Sequence, residues 1–142
     1  LNVRIPEWDR DPQGIYFGGN NMLLSPRALL RFGELYRRGG EIDGRRVLPE
    51  SRIAASWKPR TRSPFSGDAY GYGWFLRDVG GHMAAYARGF GGQFVIVVPS
   101  LEMTVVITSD TTTRLRVDGY GDALWSLVSD GLVPAAQRAN LR

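Results

Sequence analysis

Hydrophobic positions concentrate in two short runs in the second half of the chain. Phe94, Val95, Ile96, Val97 and Val98 form an unbroken aromatic and β-branched stretch, and Thr104, Val105, Val106, Ile107 and Thr108 form a second. Five residues, 99–103, separate them, and Pro99 cannot donate to a sheet ladder. This spacing predicts a hairpin of two largely buried strands. Ahead of it, Arg88-Gly89-Phe90-Gly91-Gly92 places three glycines within four positions. Such a backbone passes close to other groups and exposes its N–H groups, which suits a binding edge. A glycine bulge that merely ends a strand would use the same residues.

Upstream the apolar period changes. Ser25 suits an N-cap and Pro26 a first helical position. Leu29, Phe32 and Tyr36, joined by Ala28 and Leu35, then share one helix face, and Gly39-Gly40 ends that helix. Asp43-Gly44 predicts a tight hairpin-like turn. A second short helix is expected over residues 48–57, with Ile53 and Trp57 inward. Pro59, Pro64 and Gly67 make residues 58–68 an expected exposed loop. Tyr70, Tyr72 and Trp74 alternate with glycine, so residues 69–76 are predicted to form a strand with aromatics packed on the sheet face. Gly80-Gly81 turns the chain into another strand over 83–88. A last helix is expected from about residue 116 to 130, with Val117, Tyr120, Leu124, Leu127 and Val128 on one side. Gly131 would cap it, Pro134 would stop it, and residues 135–142 would fray. Two helices, four antiparallel strands and a helix make an α+β fold, with helices packed on an antiparallel β-sheet.

Composition narrows the function. With 142 residues, 43% apolar and 23% charged, the chain suits one globular domain, residues 1–142. Net charge is +4, but the arginines are scattered and Lys58 is the only lysine. No basic stripe interleaves with aromatics, so no nucleic-acid partner is expected. No apolar run approaches the roughly 20 residues that span a bilayer. Cysteine is absent, which removes disulfides and thiolate metal sites and leaves the compartment open. Residues 1–10 carry no signal-peptide pattern and no initiator Met, so the chain is expected to begin inside a longer protein.

Chemistry is sparse. His82 is the only histidine and is expected in a solvated loop, so neither a histidine metal pair nor a convincing Ser-His-Asp set exists. Gly71-x-Gly73 lacks the third glycine of a dinucleotide fingerprint, and no cofactor is expected. A Ser-x-x-Lys nucleophile pair is impossible, because Ala55 stands three residues before Lys58.

Four segments in order resemble one family. They are the stretch 18–36 from Gly18-Gly19-Asn20-Asn21 through Tyr36, the stretch 39–50 around Asp43-Gly44, Tyr70-Gly71-Tyr72-Gly73-Trp74, and Gly89-Phe90-Gly91-Gly92-Gln93 running into Pro99. The chain resembles the serine β-lactamase-like hydrolases, which include class C β-lactamases, DD-peptidases, carboxylesterases and 6-aminohexanoate-dimer hydrolases. The resemblance covers about residues 5–134. It implies the C-terminal portion of a β-lactamase/transpeptidase-like fold. It also implies an acyl-enzyme mechanism on a small-molecule amide or ester, with a serine nucleophile, Lys and Tyr for protons, and backbone N–H groups for the oxyanion. The family's Ser-x-x-Lys and Tyr-x-Asn elements precede the region matched here, and none of the six tyrosines has Asn or Ser two positions on. The resemblance therefore implies a partner in the N-terminal part of the same enzyme, and homo-oligomers through the apolar surface left where that part packs. Members are often periplasmic, secreted or envelope-associated.

The family's Lys/His-Ser/Thr-Gly motif falls at Ala87-Arg88-Gly89, where only the glycine is kept. That departure favours an esterase- or amidase-like member over β-lactam or peptidoglycan recognition. The resemblance gives Phe90 the backbone oxyanion N–H and places Arg88, Gly89 and Tyr86 on the substrate side. Arg88 would present a cation to a substrate carboxylate, or serve as an ordinary surface charge. Tyr86 equally suits a place on the sheet face. A non-catalytic binding or interaction domain on the same sheet is the alternative.

Overall fold

The computed structural model describes residues 3–19, 21–110 and 119–140. The described residues of the lead-in, 3–19 and 21–25, have little regular structure beyond an isolated Arg10–Tyr16 bridge, held where Asp11 Oδ1 accepts the Gln13 and Ile15 N–H groups. Ile5, Ile15, Phe17, Met22 and Leu23 lie exposed along it.

Helix α1 spans Pro26–Arg37 and starts where Ser25 Oγ accepts the Ala28 N–H at 3.2 Å. Strands β1 (Glu41–Ile42) and β2 (Arg45–Arg46) form the expected small hairpin around Asp43-Gly44, and helix α2 covers Glu50–Ser56. Six strands then pair antiparallel in chain order: β3 (Thr61–Arg62), β4 (Ala69–Tyr70), β5 (Phe75–Val79), β6 (His82–Gly89), β7 (Gln93–Val98) and β8 (Met103–Ile107). Helix α3 (Tyr120–Ser126), a π-helical turn over Leu127–Leu132 and helix α4 (Val133–Asn140) run on from one another.

The sheet is covered on both faces, which explains the apolar run of β7. Val95 and Val97 face α1, in a cluster with Trp74, Leu76 and Ala85, against which Leu29, Phe32, Tyr36 and Trp57 pack. Phe94, Ile96 and Val98 face the C-terminal helices, with Val79, Ala84, Tyr86, Val128 and Val133. A strand buried on both sides needs an apolar residue at every position, and each such aliphatic side chain contributes about 2 kcal/mol of transfer free energy. Gly33 lets α1 approach the sheet. A Cβ there would lie 2.6 Å from Thr104 Cγ2 and 3.0 Å from Val95 Cγ1. Beside it, Glu34 accepts from Thr104 Oγ1 at 2.6 Å and from Arg37 Nε and Nη2 at 2.7 and 2.8 Å. The Arg37 hydrogen bonds, against the opposing effect of burial, hold the Glu34 carboxyl down at about 2.

Six expectations are corrected. The aromatic stretch 69–76 is two strands: the Gly71 N–H turns back onto the Trp74 carbonyl at 2.8 Å, and the Tyr72 N–H is taken by the Ser56 carbonyl at 3.0 Å. That contact with the end of α2 outweighs the alternation. The loop 58–68 contains β3, which pairs with β4. β8 is half-buried along its length, because it lies at the outer edge of the sheet while β7 lies inside it. His82 opens β6 instead of lying in a loop; its Nδ1 is 2.8 Å from Ser100 Oγ and its Nε2 2.9 Å from Gln137 Nε2. The last helix neither ends at Gly131 nor stops at Pro134. The wider π turn alters the hydrogen-bond register just before the proline, so the missing N–H interrupts no regular α ladder. The gain is burial of Val128 and Val133. Leu127, expected inward, is 54% exposed, and the expected helix start at 116–118, with Val117, lies outside the described residues.

Candidate functional site

β6 is the central strand at the candidate site. β5 pairs with it from Val79–His82 to Phe75–Tyr86, and β7 pairs with it from Ala85–Val97 to Gly89–Gln93. Beyond Tyr86, therefore, Ala87, Arg88 and Gly89 have a ladder partner on the β7 side alone among the described residues. Arg88 and Gly89 are exposed, and Phe90 is 69% exposed at the head of the turn. The structure thus brings these three expected residues to one open strand end.

It does not bring Tyr86 there. Tyr86 is 1% exposed and its ring stacks on Phe75 at 5.0 Å, with the Trp125 ring edge-on at 4.8 Å. Its hydroxyl donates to Asp68 Oδ2, and Arg77 Nε donates to Asp68 Oδ1 at 3.2 Å. The Arg77 guanidinium lies over Trp125 at 4.3 Å. Burial first, and the bond to Asp68 second, push the Tyr86 hydroxyl up to about 12. This group stays protonated at ordinary pH and anchors β6 from beneath.

The turn after Gly89 is shaped by Gly91 and Gly92, at φ 75° and 89°. Three residues that sequence reasoning passed over hold it. Gln93 Nε2 donates to the Ser109 carbonyl at 2.7 Å, and the Ser109 N–H donates to Gln93 Oε1 at 3.3 Å. Ser109 Oγ donates to the Gly92 carbonyl at 2.9 Å and accepts from the Tyr120 hydroxyl at 2.6 Å. The one legible signal was Gln93, a polar residue directly between a glycine pair and an apolar strand.

What the strand end can do chemically is bounded. It offers the Arg88 guanidinium and the main-chain groups of a glycine turn, and a Cβ at Gly89 would stand 3.2 Å from Gln93 Cβ. Among the described residues no Lys or His lies within hydrogen-bond reach of a serine or threonine at this strand end. Among the described residues no group of three or more His, Asp or Glu could hold a metal ion, and no helix is long and apolar enough to cross a membrane. A hollow of about 600 Å³ lies elsewhere, lined by Arg62, Asp68, Leu76, Arg77, Asp78 and Met83 among others, none of them from the turn.

Comparison with solved structures gives 21 matching chains. One is "Putative 6-aminohexanoate-dimer hydrolase from Bacillus anthracis", which matches with a TM-score of 0.64 at 20% identity. The match covers 89% of this chain and 34% of that one, so this chain spans about a third of the solved protein's length. At that identity the likeness shows the fold. No curated relative matches in sequence. The β-lactamase family model, however, matches residues 2–129, and on that match, with the two-faced antiparallel sheet that accompanies it, this chain belongs to the β-lactamase family.

Proposed function

We propose that this chain is the C-terminal segment of a serine hydrolase that cleaves an amide or ester through an acyl-enzyme. The attacking serine and its Lys and Tyr partners lie on polypeptide outside these 142 residues. The serine hydroxyl bonds to the substrate carbonyl carbon and gives up its proton. The amine or alcohol leaves protonated, and water then frees the acid and restores the hydroxyl. In that reaction this chain supplies the wall beside the carbonyl. The Phe90 N–H faces the developing oxyanion, Gly89 borders the substrate, and Arg88 meets a substrate carboxylate. Tyr86 keeps the strand level from the core. One oxyanion donor is typically worth about 3 kcal/mol in the transition state.

The observation that carries the reading is the family match over residues 2–129 of a chain that cannot contain Ser-x-x-Lys. The open end of β6 and the exposed apolar lead-in support it. The name of the solved relative favours amides among the substrates. The isolated chain is expected to leave nitrocefin and p-nitrophenyl esters intact, whereas the longer polypeptide carrying Ser-x-x-Lys hydrolyses at least one of them. Turnover by the isolated chain refutes this division of labour. A coding sequence that lacks Ser-x-x-Lys and Tyr-x-Asn or Tyr-x-Ser upstream refutes it in favour of a binding domain.

A further inference from the structure

We infer that Gln93, Ser109 and Tyr120 form a latch that fixes the turn from Gly89 to Gly92 and so act as positioning residues for the Phe90 N–H. The inference rests on the functional reading above. An oxyanion donor works by being held in place before charge develops, to within about 0.5 Å. A turn with three glycines in four positions has little of that rigidity by itself, since each glycine is free to leave its conformation.

The surroundings supply the constraint from two sides. The β7–β8 ladder ends at Phe94–Ile107. One step further, the Gln93 side chain takes over from the backbone. Its amide exchanges two hydrogen bonds with the Ser109 main chain, at 2.7 and 3.3 Å, and so carries the β7–β8 connection past the last paired residues. From the other side a chain of hydroxyls runs from Tyr120 through Ser109 Oγ to the Gly92 carbonyl, at 2.6 and 2.9 Å. Each bond in such a chain polarises the next. The Tyr120 ring also closes the space: a Cβ on Gly92 would stand 2.8 Å from Tyr120 Cε1 and 3.0 Å from Ser109 Oγ. Gly92 is therefore confined by contacts as well as by its carbonyl bond. With Gly89 paired to Gln93 at the far side, the intervening peptides have both ends fixed. The first residue of α3 thus holds the peptide that leads into β7, at the far end of the turn that follows β6.

Tyr120→Phe removes one hydroxyl and keeps the ring. Two measurements test it. In amide exchange by NMR on this chain, the variant is expected to speed exchange of the Ser109 amide, which donates to Gln93 Oε1, by about tenfold, with the amides of residues 95–98 changing less than twofold. In the longer polypeptide, kcat for p-nitrophenyl acetate is expected to fall about tenfold with KM within twofold, as for loss of transition-state stabilisation alone. Ser109→Ala is expected to do the same, which keeps the test open if either variant folds poorly. Unchanged exchange at Ser109 overturns the latch. Faster exchange with unchanged kcat overturns its service to an oxyanion donor. Should the unmutated longer polypeptide show no hydrolysis at all, the functional reading fails, while the exchange measurement still decides whether the latch exists.

Discussion

The two faces of the sheet are held by different means. On the α1 face the contacts are almost wholly apolar: Trp74 lies against Phe32 at 5.9 Å, Tyr36 at 4.6 Å and Trp57 at 6.2 Å, with Val95 and Val97 beneath. A charged pair, Glu34 with Arg37, lies at that face, and Glu34 ties α1 to the edge strand β8 through Thr104. On the C-terminal helix face the core of Val128, Val133 and Ile96 is ringed by polar bonds. His82 meets Ser100 and Gln137, Asn140 donates to the Leu101 carbonyl, Tyr86 donates to Asp68, and Tyr120 donates to Ser109. The first face can be rebuilt from side-chain volume alone. The second is directional, because each polar bond there specifies one arrangement and is costly when half made. That is the face whose helix reaches the turn at the end of β6.

The difference can be broken first at its apolar side. Trp74→Ala empties the middle of the aromatic cluster and should cost about 4 kcal/mol, read as a lower urea midpoint with little dependence on pH. A second break is electrostatic. The Glu34 carboxyl is held at about 2, below its ordinary 4.5, so its stabilisation is full above about pH 4.5 and is lost as pH falls toward 2. Glu34→Gln should therefore cost roughly 2 kcal/mol at pH 7 and markedly less at pH 2.5, measured by urea unfolding at both. The smallest effect belongs to the directional face. The Tyr86 hydroxyl is raised to about 12, so its contribution is full below about pH 10 and fades as pH rises through 12. Tyr86→Phe should cost about 1 kcal/mol at pH 7 and flatten the fall in stability between pH 10 and pH 12.

The same contrast explains what could be read from residues. The double-sided burial of β7 was legible, because five consecutive apolar positions leave no polar face. The cap of α1 and the Asp43-Gly44 hairpin were legible as local chemistry. The break between β4 and β5 was not, because the Tyr72 N–H is claimed by Ser56, sixteen residues earlier, while the aromatic alternation mimics one strand. Passage of the C-terminal helix through Pro134 was hidden for a similar reason: the π turn is favoured by burial of Val128 and Val133 against the sheet. At the candidate site the glycines marked the turn and alternation allowed Tyr86 a place on the sheet face. The residues that hold the turn lie 16 and 27 positions beyond Gln93, and no local pattern links them. His82 reads as a loop residue in sequence because its partners lie 18 and 55 positions away.

The central claim is that the attacking hydroxyl lies outside this sequence. A fluorophosphonate, which forms a stable adduct with an activated serine, tests it most directly when used on the longer polypeptide and followed by peptide mass mapping. The account predicts one adduct, on a serine upstream of residue 1, and none on any serine of these 142 residues. An adduct on Ser109, or on any other serine of this chain, would contradict it.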